Sequence, residues 1–113
     1  MFKGKRILVT GGGGFIGGRL ASELVRKGAL VRATIHHKKP PLPLSEIQYV
    51  EADLTLESEC EKVVRGVDYV FMCAANTSGA AVIAKDPLEH VTANVVMNTF
   101  MLNASYRAEV KKF

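Results

Sequence analysis

Thr10-Gly11-Gly12-Gly13-Gly14-Phe15-Ile16-Gly17 is the stretch on which the fold turns. On its N-terminal side Ile7-Leu8-Val9-Thr10 is apolar, β-rich and stopped by glycine, which reads as a short strand buried on both faces. On its C-terminal side Ile16, Leu20 and Leu24 recur every four residues with Ala21 and Val25 alongside, the apolar stripe of a helix. Arg26-Lys27 in its last turn and Gly28 beyond them close that helix. The glycines therefore join a strand to a helix N-terminus. Such a junction aims backbone N–H groups and the positive end of the helix dipole at an anion. Side chains would hold a pyrophosphate away, and a glycine on the first turn lets the helix lie close to the strand. Two frames fit: Gly12, Gly14, Gly17 or Gly11, Gly14, Gly17. Four successive glycines satisfy many patterns, so the strand–turn–helix setting is what makes the motif specific for a dinucleotide. A P-loop is excluded, because Gly18-Arg19 stands where Lys-Ser/Thr would follow the last glycine.

Outward from this turn, strands and helices alternate. Leu30 to Ile35 reads as a second strand, and the three prolines between Lys39 and Leu44 demand an irregular connection. Ile47 to Val50 reads as a third strand, Leu56 to Arg65 as a helix ended by Gly66, and Val67 to Cys73 as a fourth strand. Residues 76–85 form a loop of small residues. Asp86-Pro87-Leu88-Glu89 has the pattern of a capped helix start, and that helix runs to about Tyr106. Val110 to Phe113 reads as the opening of a fifth strand. Alternation at this spacing predicts βαβ units: an α/β Rossmann fold, a doubly wound parallel sheet represented by its first four strands plus the start of the fifth. The expectation is one incomplete NAD(P)-binding domain over residues 1–113, a fragment of a larger domain whose substrate-binding part is absent.

Composition excludes several classes. Hydrophobic residues at 48% and charged residues at 23% argue against disorder. No apolar run approaches the roughly 18 residues of a membrane span, so no membrane partner is expected. The apolar run after Lys5-Arg6 breaks at the glycines, which rules out a signal peptide. The net charge of +4 is spread along the chain without interleaved aromatics, so no nucleic-acid partner is expected. Two cysteines, Cys60 and Cys73, give no disulfide framework and suit a reducing, cytoplasmic location. His36 and His37 with two distant cysteines lack metal-ligand spacing, so no metal is expected.

At this level of detail the sequence resembles the extended short-chain dehydrogenase/reductases, the NAD(P)-dependent nucleotide-sugar epimerases and dehydratases in particular. TGGGGFIG is similar to their T-G-G-x-G-F-I-G fingerprint, which selects the frame Gly11, Gly14, Gly17 and brings Phe15 and Ile16 with it. Ala52-Asp53-Leu54 resembles the family's Asp-Leu pair, implying that the Asp53 carboxylate meets the adenine ring. Asp68 to Ala75 resembles the strand-four motif ending in Ala-Ala, implying that Ala74, Ala75 and the following Asn76 lie along the cofactor. Asn94, with Asn98, Leu102 and Ala104, resembles the helix N-V-x-G-T-x-N-L-L-x-A, with Met97 in place of its glycine. The resemblance spans the whole chain. It implies a dinucleotide cofactor and, for the full-length protein, a nucleotide-sugar substrate and a homodimer.

The choice of dinucleotide turns on the end of the second strand. An acid there binds the ribose hydroxyls of NAD and repels the 2′-phosphate of NADP. The acidic position falls on Ile35 and the next on His36, and no carboxylate lies between Leu30 and Leu44. His36, His37, Lys38 and Lys39 could instead hold a phosphate, so the reading leans to NADP(H) over NAD, with His36 and Lys38 as its contacts.

The family's catalysis rests on Tyr-x-x-x-Lys, in which the lysine lowers the pKa of a general acid/base tyrosine. Tyr106 is followed at that spacing by Val110, with Lys111 one place too far, so no catalytic residue is expected in this chain and the chain alone should be inactive. His90 reads as a surface residue. Three functional readings follow: part of a nucleotide-sugar epimerase, dehydratase or reductase; part of an NADP-dependent ketone or aldehyde reductase; or a non-catalytic dinucleotide-binding, redox-sensing module.

Overall fold

Successive side chains of a strand point to opposite faces, and the first strand uses both. In β1 (Arg6–Thr10), Ile7 and Val9 pack on one side with Ala21 and Leu24 of α1 (Phe15–Arg26). Leu8 packs on the other, in a core shared with Cys60 and Val63 of α2 (Glu57–Val63) and Met101 and Ala104 of α3 (Pro87–Arg107). Leu8 and Met101 are fully buried; each such side chain contributes roughly 1.5–3 kcal/mol. A strand apolar on both faces therefore demands helices on both faces, and it has them. The computed structural model describes residues 1–40, 43–75, 85 and 87–113.

The sheet is completed by β2 (Leu30–Ile35), β3 (Gln48–Glu51) and β4 (Tyr69–Met72). All pairings are parallel, in the order β3-β2-β1-β4. Ile7 stands between Val31 of β2 and Tyr69 of β4. Parallel neighbours need crossovers: α1 connects β1 to β2, and α2 carries the chain from β3 at one edge across to β4 beside β1. Chain order runs outward from β1 to β3 on one side and resumes with β4 on the other. The crevice at the strand ends between β1 and β4 is thus the switch point where open α/β sheets bind ligands.

The expected α/β Rossmann architecture is the one found, with edges shifted by a residue or two. β4 stops at Met72, short of Cys73, for a specific reason: the N–H groups of Cys73 and Ala74 both donate to the Thr10 hydroxyl, each at 3.0 Å, and leave the ladder. α2 is shorter than expected, with Leu56 as its N-cap and Val64 as its C-cap. The opening of strand five lies beside β4: Lys111 N–H donates to Asp68 O at 2.8 Å and Val70 N–H to Lys112 O at 2.9 Å. Met97, where the resembling helix motif has glycine, packs half-buried against the Leu8 side of the core. The Asp86 cap lies outside the described residues.

Among the described residues no helix is long and apolar enough to cross a membrane. Cys60 and Cys73 are free thiols, and burial, aided by the nearby carboxylates of Asp53 and Glu57, pushes Cys60 up to about 11.

Candidate functional site

The glycine turn sits at the switch point because β1 ends there, and several of its glycines, Gly11 and Gly17 among them, are demanded by the protein itself. Gly11 adopts φ +76°, and a Cβ on it would lie 2.9 Å from the Cα of Ala74 beyond β4. Gly17, on the first turn of α1, faces the Gly11 backbone: its Cβ would collide with the Gly11 carbonyl oxygen and lie 2.8 Å from the carbonyl carbon. Helix, turn and the residues after the fourth strand thus approach backbone to backbone here. Gly14 differs. A Cβ there would meet one neighbour, the Gly11 carbonyl oxygen, at 3.3 Å, and otherwise open space. Internal packing asks much less for a glycine at this position, which leaves the approach of a ligand as the stronger reason for one.

α1 begins at this open side without an anionic complement of its own. Gly14 is its N-cap, no side chain caps it, and its first turn holds no acid, whereas α2 carries Glu57 and Glu59 in its first turn. The Gly18 N–H donates to Gly14 O at 2.9 Å, so the N–H groups of Phe15, Ile16 and Gly17 precede the helix's own hydrogen bonding. Together with the dipole they form a concentration of donors suited to a pyrophosphate. Phe15 and Ile16 leave their side chains largely exposed, so what they offer at the turn is backbone N–H.

A second charged feature lies at the ends of β2 and β3. His36 and His37 stack with ring centroids 3.8 Å apart. Below them Asp53 Oδ1 accepts from the Thr55 hydroxyl at 2.6 Å and the Thr55 N–H at 3.0 Å. These bonds, first the hydroxyl's and then the backbone's, hold the Asp53 carboxyl below its usual range, and His36 and His37 lower it further. Asp53 is thereby a local turn-maker whose carboxylate also lies close enough to the histidine pair to be stabilised by it.

A sequence model described as the NAD dependent epimerase/dehydratase family matches residues 7–113. The chain belongs to this family. Its relatives include GDP-mannose 3,5-epimerase 1 of Oryza sativa subsp. japonica, 32% identical over 110 residues, covering 96% of this chain and 29% of the relative. The 3 beta-hydroxysteroid dehydrogenase/Delta 5-->4-isomerase of Mycobacterium tuberculosis (strain ATCC 25618 / H37Rv) is equally similar, at 32% over 112 residues, 96% of this chain and 30% of the relative. Among solved structures, the Thermus thermophilus UDP-glucose 4-epimerase in complex with NAD superimposes with a TM-score of 0.82 at 27% identity, covering 93% of this chain and 35% of that one. The chain thus spans about a third of the length of the proteins it matches.

As an epimerase/dehydratase family member, the chain carries the dinucleotide-binding part of the family's fold, and the residues expected to serve it fall into groups. Gly11, Gly14, Phe15, Ile16 and Gly17 form the turn and the helix start, with Ala74 against Gly11 and Ala75 exposed next to it. Lys38 lies with its backbone on Gly13 of the turn, and His36 lies near Asp53. Leu54 is 4% exposed and packs in the core with Leu8 and Cys60, so its side chain serves the fold. Asn94 is half-buried on α3, its carbonyl accepting from Asn98 Nδ2 at 2.8 Å. Asn76 lies outside the described residues.

Three contributors escaped the sequence reading. Thr10 uses one buried hydroxyl to bind both N–H groups that follow β4, and donates it to Met72 Sδ at 3.2 Å. Thr34 accepts from the turn twice, at Oγ1 from Gly11 N–H (3.2 Å) and at its carbonyl from Gly12 N–H (2.6 Å). Glu51 ends β3 in register with Ile35, bringing a carboxylate to the level where β2 lacks one. Thr10 stood inside the fingerprint and could have been suspected. The other two depend on strand register.

Proposed function

We propose that this chain is the NADP(H)-binding part of an enzyme that acts on a nucleotide sugar by epimerisation, dehydration or reduction. The open face of Gly14 before an uncapped, acid-free helix start carries the cofactor reading. The pyrophosphate is held by the N–H groups of Phe15, Ile16 and Gly17, and the turn is held against Ala74 and Thr34. When bound, the nicotinamide supplies reversible hydride transfer with a sugar carbon. Preference for the 2′-phosphate is supported by His36, Lys38 and their basic neighbours, and by the lack of an acid at the end of β2. Asp53 and Glu51 work against it, as does the NAD named with the Thermus relative.

The GDP-mannose and UDP-glucose epimerases among the relatives support a nucleotide sugar as substrate. A second reading, oxidation or reduction of a non-sugar hydroxyl or ketone, is favoured by the hydroxysteroid dehydrogenase at the same identity. Residues 1–113 hold no Tyr-x-x-x-Lys and are proposed to lack turnover by themselves. A cytoplasmic setting is supported by the two free thiols. A homodimer is supported by α3, where Leu88, Val91, Val95, Leu102 and Tyr106 are exposed and fall within about 60° of arc on one side of the helix. A second copy of the same stripe is its natural cover.

The test is calorimetric titration of the intact protein with NADP(H) and NAD(H), then turnover of nucleotide sugars and of hydroxysteroids. Gly14→Val should fold and lose both dinucleotides; retained binding refutes the turn as the site. Tighter binding of NAD than NADP, unchanged when His36 and Lys38 become alanine, refutes the cofactor preference.

A further inference from the structure

The fingerprint leaves its fourth position open, and this chain has Gly13 there. The backbone of the segment after β2 lies on that glycine. A Cβ at Gly13 would collide with the Lys38 carbonyl oxygen, lie 2.6 Å from its carbonyl carbon and 3.1 Å from its Cβ. The obstacle is main chain, so a side chain at Gly13 could be admitted only by moving the segment. The same side of the turn is already tied to the end of β2: Gly12 N–H bonds Thr34 O at 2.6 Å, and a Cβ on Gly12 would lie 2.8 Å from Ala33 Cβ. The stretch His36-His37-Lys38-Lys39 thus has one end fixed by the β2 ladder and its middle seated on the glycine turn. The backbone that carries its basic side chains is thereby held in place relative to the turn that precedes α1.

We propose that Gly13 is a positioning residue for cofactor selection: its missing side chain seats Lys38, and through Lys38 it sets how well the basic segment reaches a 2′-phosphate beside a pyrophosphate on α1. This rests on the cofactor reading above. Gly13 need not touch the cofactor, and the pyrophosphate donors lie on the other side of Gly14. Its substitution therefore changes the ratio of NADP to NAD affinity while leaving NAD binding in place.

The experiment measures both dissociation constants by calorimetry on the intact protein, wild type and Gly13→Ala. The expected result is about tenfold or more weakening for NADP, the loss of roughly one charge-assisted hydrogen bond, with NAD changed by less than about twofold. Equal weakening of both, or no change in either, overturns the proposal. Wild-type preference for NAD would refute the cofactor reading separately, and the positioning role would still be read from the change in ratio. Should Gly13→Ala not fold, Lys38→Gly is compared with Lys38→Ala. Both remove the ammonium group, but glycine also frees the backbone that Gly13 seats, so Lys38→Gly should lose more NADP affinity than Lys38→Ala. Equal losses overturn the proposal.

Discussion

Alanine at Gly17 and alanine at Gly18 should have opposite consequences, although the two residues are neighbours on the first turns of one helix. Each substitution removes a glycine from a helix, worth up to about 1 kcal/mol of stabilisation. At Gly18 the new Cβ meets the Gly12 carbonyl oxygen at 3.2 Å, a contact relieved by a few tenths of an ångström, so the net effect is near zero or favourable. At Gly17 it runs into the Gly11 carbonyl and stands 3.2 Å from the Thr10 carbonyl oxygen. Gly11 cannot retreat freely, being left-handed, bonded through its N–H to Thr34 Oγ1, and close against Ala74. Overpacking against fixed surroundings costs roughly 1–3 kcal/mol, and an obstacle that is backbone belongs at the upper end. The helix-propensity gain is common to both variants and cancels, so Gly17→Ala should be less stable than Gly18→Ala by about 2–3 kcal/mol. For a protein of the relatives' length, with its proportionally larger unfolding entropy, that is a gap of about 3–4 °C in Tm. Thermal and urea unfolding of the two variants of the intact protein, followed by circular dichroism, reads it directly. Equal stability would refute the reasoning, since it would mean that α1 slides away from the turn without cost.

Two further outcomes follow from side chains rather than backbone. The folded Asp53 carboxyl is held below its usual range by the Thr55 bonds and the histidine pair, so its ionised form stabilises the fold at and above neutral pH. That contribution is fully present above about pH 4 and declines as pH falls through the folded value, so Asp53→Asn should cost on the order of 1 kcal/mol of stability at pH 7 and progressively less as the pH is lowered below about 4; a pH-independent difference would contradict it. Val95→Glu, in the middle of the exposed α3 stripe, should turn a dimer into a monomer by light scattering without changing the unfolding midpoint of the subunit core. A wild-type monomer, or a variant that stays dimeric, would remove α3 as the interface.

The sequence by itself determined the parallel α/β architecture and the position of the turn. Both are written in local patterns: an apolar run stopped by glycine, a four-residue stripe after it, and a repeat of that alternation along the chain. Their edges were less legible, because an element ends where its hydrogen bonds find other partners. β4 ends because Thr10, 63 and 64 residues away, takes the N–H groups of Cys73 and Ala74. In the site, four glycines looked interchangeable as letters. Only the tertiary structure separated Gly11 and Gly17, held against backbone, from Gly14, open to one side, and from Gly13, which seats Lys38. The same holds for Leu54, which motif position assigned to the cofactor and packing placed in the core, and for Glu51, which register brought level with Ile35. Periodicity and turn chemistry act over a few residues and are readable along the chain. Which backbone blocks a Cβ, and which charge faces which, depends on strands brought together by the fold.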